Sequence, residues 1–143
     1  MVRIATVQDA EQLESLNKAF NGEGETSLDN IRASLGGNRQ EIVVVDEATG
    51  ELTGFVCVQL KKSFCYDAYM PEITEVYVKP QYRRCGIARA MIAYAEEYCK
   101  NHYPLHKYEL LTGSKNIAAQ TAYKRCGYCE DNEIHMVKRL SKK

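Results

Sequence analysis

The stretch Ile42-Val43-Val44-Val45 restricts the fold more than any other part of the chain. Four consecutive β-branched or apolar residues cannot present one wet face and one dry face. The run therefore suits a strand covered on both sides, which requires a sheet lying between two other layers. Ala48-Thr49-Gly50 follows as a turn, and residues 52–60 return as a second strand, so the pair reads as a hairpin.

The covering layers are visible on either side. Residues 2–6 read as a short edge strand, and 7–20 place Leu13, Leu16, Ala19 and Phe20 on one helical stripe, with Asp9 and Glu11 in the favourable first turn. Asn21-Gly22-Glu23-Gly24-Glu25 breaks that pattern. Ser27 is a candidate N-cap for a helix running to Leu35, which Gly36-Gly37 ends. A third strong strand covers 72–78 and stops at Pro80. A helix over 87–99 carries Ile87, Met91, Tyr94, Ala95 and Tyr98 at helical spacing. Residues 108–111 form another strand, 116–126 a helix closed by Gly127, and 134–137 a last strand. Strands alternating with helices late in the chain predict a mixed sheet with helices on both faces.

At 143 residues the chain is expected to be one domain, 1–143, large enough for a genuine core. Its 45% apolar and 27% charged residues exclude extended disorder. No apolar run approaches the ~20 residues of a membrane span, and residues 1–8 lack the apolar stretch of a secretory signal, so a cytoplasmic location is expected. The six cysteines are then expected to be reduced thiols. Cys126 and Cys129 have CxxC spacing, but they stand at the C-terminal end of a helical pattern, where the dipole disfavours a thiolate. His135 would be an incidental third ligand, and no metal is expected.

The zero formal charge conceals a division. Residues 1–75 carry six basic and thirteen acidic side chains, whereas 76–143 carry thirteen and six. Such a chain is suited to hold a polyanion with one half and attract a cation with the other. The basic half has no motif that reads nucleic acid, and Lys138, Arg139, Lys142 and Lys143 read as a solvated tail, so neither a nucleic acid nor a membrane is an expected partner.

Chemistry concentrates where the strand over 72–78 passes through Lys79-Pro80-Gln81-Tyr82-Arg83-Arg84-Cys85-Gly86 into Ile87-Ala88-Arg89. A helix N-terminus offers unpaired N–H groups and a positive dipole end, a ready anion site. Gly86 permits a positive φ or a close approach, and Arg83, Arg84 and Arg89 add charge at the same point. Neither the P-loop nor the dinucleotide glycine pattern is present.

Arg83-Arg84-Cys85-Gly86-Ile87-Ala88 matches [QR]-x-x-G-x-[GA], and NIAAQTAYKRCGY further on matches N-x-x-A-x-x-x-Y-x-x-x-G-[FY]. Together they resemble the two signatures of the GNAT superfamily of N-acetyltransferases, with EITEVYVKPQYRRCGIARAMI similar to that family's fourth strand, pyrophosphate loop and third helix. The resemblance implies an α/β fold with a mostly antiparallel sheet, one splayed parallel strand pair, and helices on both faces. It implies acetyl-CoA as co-substrate, with direct transfer to a small-molecule amine. Loop amides from Arg83, Arg84, Cys85, Gly86, Ile87, Ala88 and Arg89 would hold the pyrophosphate. The strand at Val76, Tyr77 and Val78 would pair with the pantetheine arm, with Asn116 and Ala119 beside it. Tyr123 would be the general acid. Glu72 is the first candidate for general base and Glu75 the second; on a regular strand the two face opposite sides, unless a bulge lies between them.

Acceptor choice would lie in 21–29, with Glu23, Glu25 and Asp29, and in 61–70, with Phe64, Tyr66, Asp67 and Tyr69; acidic and aromatic groups together favour a cationic amine. The alternative is a related module that holds CoA without turnover. The resemblance leaves room for a homodimer, with an edge strand such as 134–137 pairing across subunits.

Overall fold

The computed structural model describes residues 1–141. Its elements are β1 (Val2–Ile4), α1 (Ala10–Asn21), α2 (Leu28–Gly37), β2 (Glu41–Ala48), β3 (Glu51–Lys61), β4 (Met70–Val78), α3 (Ile87–His102), β5 (Glu109–Leu110) and α4 (Ile117–Arg125). The strands lie in the order β1-β2-β3-β4-β5. All neighbours are antiparallel except β4 and β5, which are parallel.

The apolar run in β2 does what its composition requires. Ile42 and Val44 enter a core with Met91, Ile92, Ala95 and Cys99 of α3, while Val43 and Val45 face Leu13 and Leu16 of α1 and Leu35 of α2. The sheet thus separates an α3 and α4 side from an α1 and α2 side. Ser27 caps α2 as expected, accepting from the Asn30 N–H at 3.1 Å. Residues 7–9 form a 3₁₀ turn rather than the start of α1. There the Asp9 carboxylate accepts from the Thr6 N–H and from Arg3 at 2.7 and 2.8 Å, which favours a tight turn over a longer helix.

β4 carries the irregularity that matters for the site. Cys57 pairs with Glu75, yet its neighbour Val58 pairs with Ile73, so Thr74 is an extra residue bulging from the ladder. The bulge reverses the alternation between Glu72 and Glu75. Glu72 lies opposite Gln59 and Glu75 opposite Cys57, both on the α1 and α2 side. Pairing between β4 and β5 covers only Glu72↔Glu109 and Ile73↔Leu110. Beyond Ile73 no strand among the described residues lies beside the outer edge of β4.

Residues 134–137 are not a strand. Ile134 and Met136 are 84% and 86% exposed, and the segment has no regular structure. Alternation creates a face but supplies no neighbouring edge, and a strand without a partner is not stable in water. The edge on which pairing across subunits was expected is therefore absent from this chain's fold. Lys138 and Arg139 are exposed, as a solvated tail requires, and Lys142 and Lys143 lie outside the described residues. No helix among the described residues is long and apolar enough to cross a membrane.

Gly54 sets the fit between β3 and the end of β4. A Cβ there would meet the Tyr77 carbonyl oxygen at 2.5 Å, the Val78 Cα at 3.1 Å and the Met91 Cε at 3.2 Å. Two of those three contacts are backbone, which cannot rotate away. Gly54→Ala is expected to cost roughly 1–3 kcal/mol by overpacking, read as a lower urea midpoint with an unchanged m-value.

Candidate active site

The loop after β4 begins with a 3₁₀ turn over Pro80–Tyr82. Arg84 then takes φ +63°, and Gly86 takes φ +78° as the N-cap of α3. Nothing lies within 4 Å of a Cβ built on Gly86, so its positive φ, rather than crowding, calls for glycine there. Left-handed residues interspersed in a turn direct successive N–H groups toward a common point and form an anion-binding concavity. The first turn of α3 adds N–H groups with no intrahelical acceptor. Its sixteen residues supply the dipole.

This concavity opens into a cavity of about 660 Å³. One wall is the outer edge of β4 at Val76 and Val78. Another is the start of α3 from Gly86 to Arg89. The third is α4, through Ala119, Ala122, Tyr123 and Cys126. Arg83, Arg84, Arg89 and Arg125 also border it, so an apolar channel ends in a strongly basic mouth.

Tyr123 is half-buried in the α4 wall, and burial pushes its phenol above the ordinary value of 10.0. Such a phenol keeps its proton throughout the neutral range and can donate it. α4 is held in place by Tyr128, just beyond its end, whose hydroxyl donates to Glu96 Oε2 on α3 at 2.7 Å. The Cys126 thiol is pushed up by burial and by Glu96, against a smaller opposing effect of Arg89. That suits a packed thiol at a helix end and not a reactive one.

Other residues singled out in the sequence stand elsewhere. The Tyr77 side chain is on the opposite face, in contact with Phe20 and Phe55 at ring-centroid distances of 5.4 and 6.1 Å. Tyr77 does not line the channel, and its carbonyl oxygen lies toward β3, beside Gly54. Cys85 is exposed, with its Sγ 3.5 Å from the Arg83 carbonyl oxygen. Asn116 is the N-cap of α4, its Oδ1 accepting from the Ala119 N–H at 3.2 Å.

The carboxylates gather on the α1 and α2 side. Glu72 is ion-paired to Lys61 at 3.2 Å, and Lys61 also reaches Glu109 at 2.7 Å. Glu75 stands just past the last residue that β4 pairs with β5, hydrogen-bonded to the Thr74 hydroxyl. Glu41 lies on the same face and accepts from Ser34 and Gln59, and its carboxyl is raised by burial and by the charge of Glu75. The Cys57 thiol is pushed far up by burial and then by Glu41 and Glu75. This group of carboxylates was not visible as one site in the sequence, because Glu41 lies 34 positions from Glu75 and the bulge decides which face each occupies.

Of the segments expected to choose an acceptor, 61–70 lies at the end of β4 opposite the arginine loop. Tyr66 stacks on His106 at 5.8 Å and Tyr69 tilts against Tyr103 at 4.9 Å, while Phe64 is 97% exposed.

The model of the acetyltransferase (GNAT) family matches residues 9–128. Among solved structures, the chain is similar to an aminoglycoside acetyltransferase from an uncultured soil metagenomic sample, at 14% identity and a TM-score of 0.85, covering 99% of this chain and 96% of that one. It is similar to aminoglycoside N-acetyltransferase AAC(6')-Iy in complex with CoA, at 17% identity and a TM-score of 0.81, covering 99% and 100%. A ribosomal-protein-alanine N-acetyltransferase from Brucella melitensis biovar Abortus 2308 gives 16% identity and a TM-score of 0.81, covering 99% of both chains. At these identities the likeness shows the fold. Among curated protein sequences none is significantly similar.

The Asn116 cap yields a direct test. Asn116→Ala is expected to lose about 1 kcal/mol of stability, whereas Asn116→Asp retains the acceptor oxygen and most of that stability. Thermal unfolding of the two variants side by side checks this.

Proposed function

The chain belongs to the GNAT acetyltransferase family, and on that premise we propose that it moves the acetyl group of acetyl-CoA directly to the primary amine of a small cationic acceptor. The observation that carries this reading is one continuous cavity joining three unlike surfaces: an open strand edge, a basic helix N-terminus and a half-buried phenol. A pyrophosphate suits the basic end, because backbone N–H groups and arginines both meet anionic oxygens there. An amide-bearing arm suits the edge of β4 at Val76 and Val78, where backbone groups lie without a strand beside them. Acetyl-CoA, when bound, supplies an activated acyl group and a thiol leaving group.

The chain's own residues would do the proton work. An aliphatic amine has a pKa of about 10 and is protonated at neutral pH, so it cannot attack until a base takes its proton. Glu72, the first candidate from the sequence, has its carboxylate engaged by Lys61 inside the paired part of the sheet. Glu75 stands just past the end of that pairing, with no ion-pair partner of its own among the described residues, which favours Glu75, acting directly or through a water. The Tyr123 hydroxyl donates to the departing thiolate.

The cationic acceptor is supported by the grouping of Glu41, Glu72 and Glu75 on one face, since carboxylates gathered there favour a positively charged partner. AAC(6')-Iy and the soil enzyme are aminoglycoside acetyltransferases, and aminoglycosides, being polycations, belong first among the acceptors to try.

Turnover of acetyl-CoA against polyamines, aminoglycosides, amino acids and peptides, followed by mass, tests the reading. Thiol dyes would report the six cysteines instead. An acetylated polycation is the expected result. A higher melting temperature without any product would point to a module that holds CoA without turnover, and the absence of both product and stabilisation would overturn the assignment of the cavity. Tyr123→Phe is expected to lower kcat by about 10²-fold or more with KM for acetyl-CoA little changed. The wild-type rate should rise with pH as the attacking amine loses its proton, and because the phenol lies above its ordinary value of 10.0 no fall from Tyr123 should appear below that pH. Glu75→Gln is expected to lower kcat more than Glu72→Gln does.

A further inference from the structure

Arg83 differs from the other arginines of the loop in what its guanidinium does. Its Nε–H donates to the carbonyl oxygen of Val78, the last residue of β4, at 2.8 Å. Its Cζ stands 5.6 Å from the centre of the Tyr77 ring. That ring is itself held by Phe20 of α1 and Phe55 of β3. The side chain therefore turns back onto the strand from which the loop departs, and both of its contacts belong to that strand.

The next residue needs such an anchor. Arg84 takes φ +63° without being glycine, a conformation that persists only where its surroundings impose it. The backbone just before it is fastened by Tyr82 N–H to Lys79 O at 2.9 Å, by a longer 3.3 Å bond from Arg83 N–H to Pro80 O, and by the Arg83 side chain.

We propose that Arg83 is a positioning residue: its guanidinium, tied to the Val78 carbonyl and laid on Tyr77, holds the 79–86 loop in its anion-binding shape. The charge that meets the anion then comes from backbone N–H groups, Arg84 and Arg89. The affinity consequence rests on the acetyl-CoA reading above; the conformational one does not.

Two substitutions separate the roles because they exchange charge for geometry. Glutamine places an amide nitrogen the same number of bonds from the backbone as the arginine Nε, and it is planar but neutral. Lysine keeps the charge, one bond further out, without the planar group. For a positioning role, Arg83→Gln should bind acetyl-CoA at least fivefold more tightly than Arg83→Lys. If Arg83 acts by charge the order reverses, and an equal or reversed order overturns the proposal.

Amide hydrogen exchange of the ligand-free variants gives a second readout. Residues 79–90 should exchange at least tenfold faster in Arg83→Lys than in Arg83→Gln, with similar exchange in β2 and β3 showing that both have folded. Equal exchange in the two loops also overturns the proposal. A wild-type protein that fails to bind acetyl-CoA would sink the functional reading, while the exchange comparison would still decide the role of Arg83.

Discussion

β4 meets two opposed demands along nine residues. Its first half is paired on both sides, with β3 antiparallel and β5 parallel. Among the described residues its second half is paired on one side only, so backbone groups on the outer edge lie next to a cavity. Backbone polar groups beside a cavity call for partners, and at Val78 the carbonyl oxygen finds one in the Arg83 Nε–H at 2.8 Å. The core holds the strand in this position from above and below. Met91 occupies the space over Gly54 on one face, and Phe55 and Tyr77 meet Phe20 on the other.

The bulge at Thr74 lies at the boundary between the two halves, and it does more than end a ladder. By adding one residue it places Glu72 and Glu75 on the same side of the sheet, with Glu41 nearby on β2. Basic groups collect at the α3 N-terminus and line the cavity, while carboxylates collect on the α1 and α2 face. The uneven distribution of charge between the two halves of the sequence thus becomes, in part, a division between the two faces of the sheet.

Similarity at 14–17% identity with TM-scores of 0.81–0.85 has a physical basis in how little of the arrangement depends on particular side chains. Backbone N–H groups, a helix start and an open strand edge are available to almost any sequence that folds this way. The exacting positions are few. Gly86 must allow a positive φ, Gly54 must leave room for the Tyr77 carbonyl, and the apolar runs must match the two faces of the sheet.

Features that depend on neighbours in the chain could be read from the sequence alone. The Ile42 to Val45 run demanded a sheet covered on both faces, helical spacing marked α1 and α3, Ser27 marked a helix start, and Gly86 marked a turn able to take a positive φ before the next helix. Features that depend on partners distant in the sequence could not. The alternation at 134–137 described a strand, but no edge among the described residues lies beside it; the spacing of Glu72 and Glu75 put them on opposite faces unless a bulge lay between them, and only the ladder with β3 shows that one does. Arg83 looked like one more charge at the loop, and only the folded chain shows its guanidinium directed at the Val78 carbonyl. A strand's pattern and a side chain's charge are local properties, whereas an edge, a face and a hydrogen-bond partner exist only once distant segments have come together.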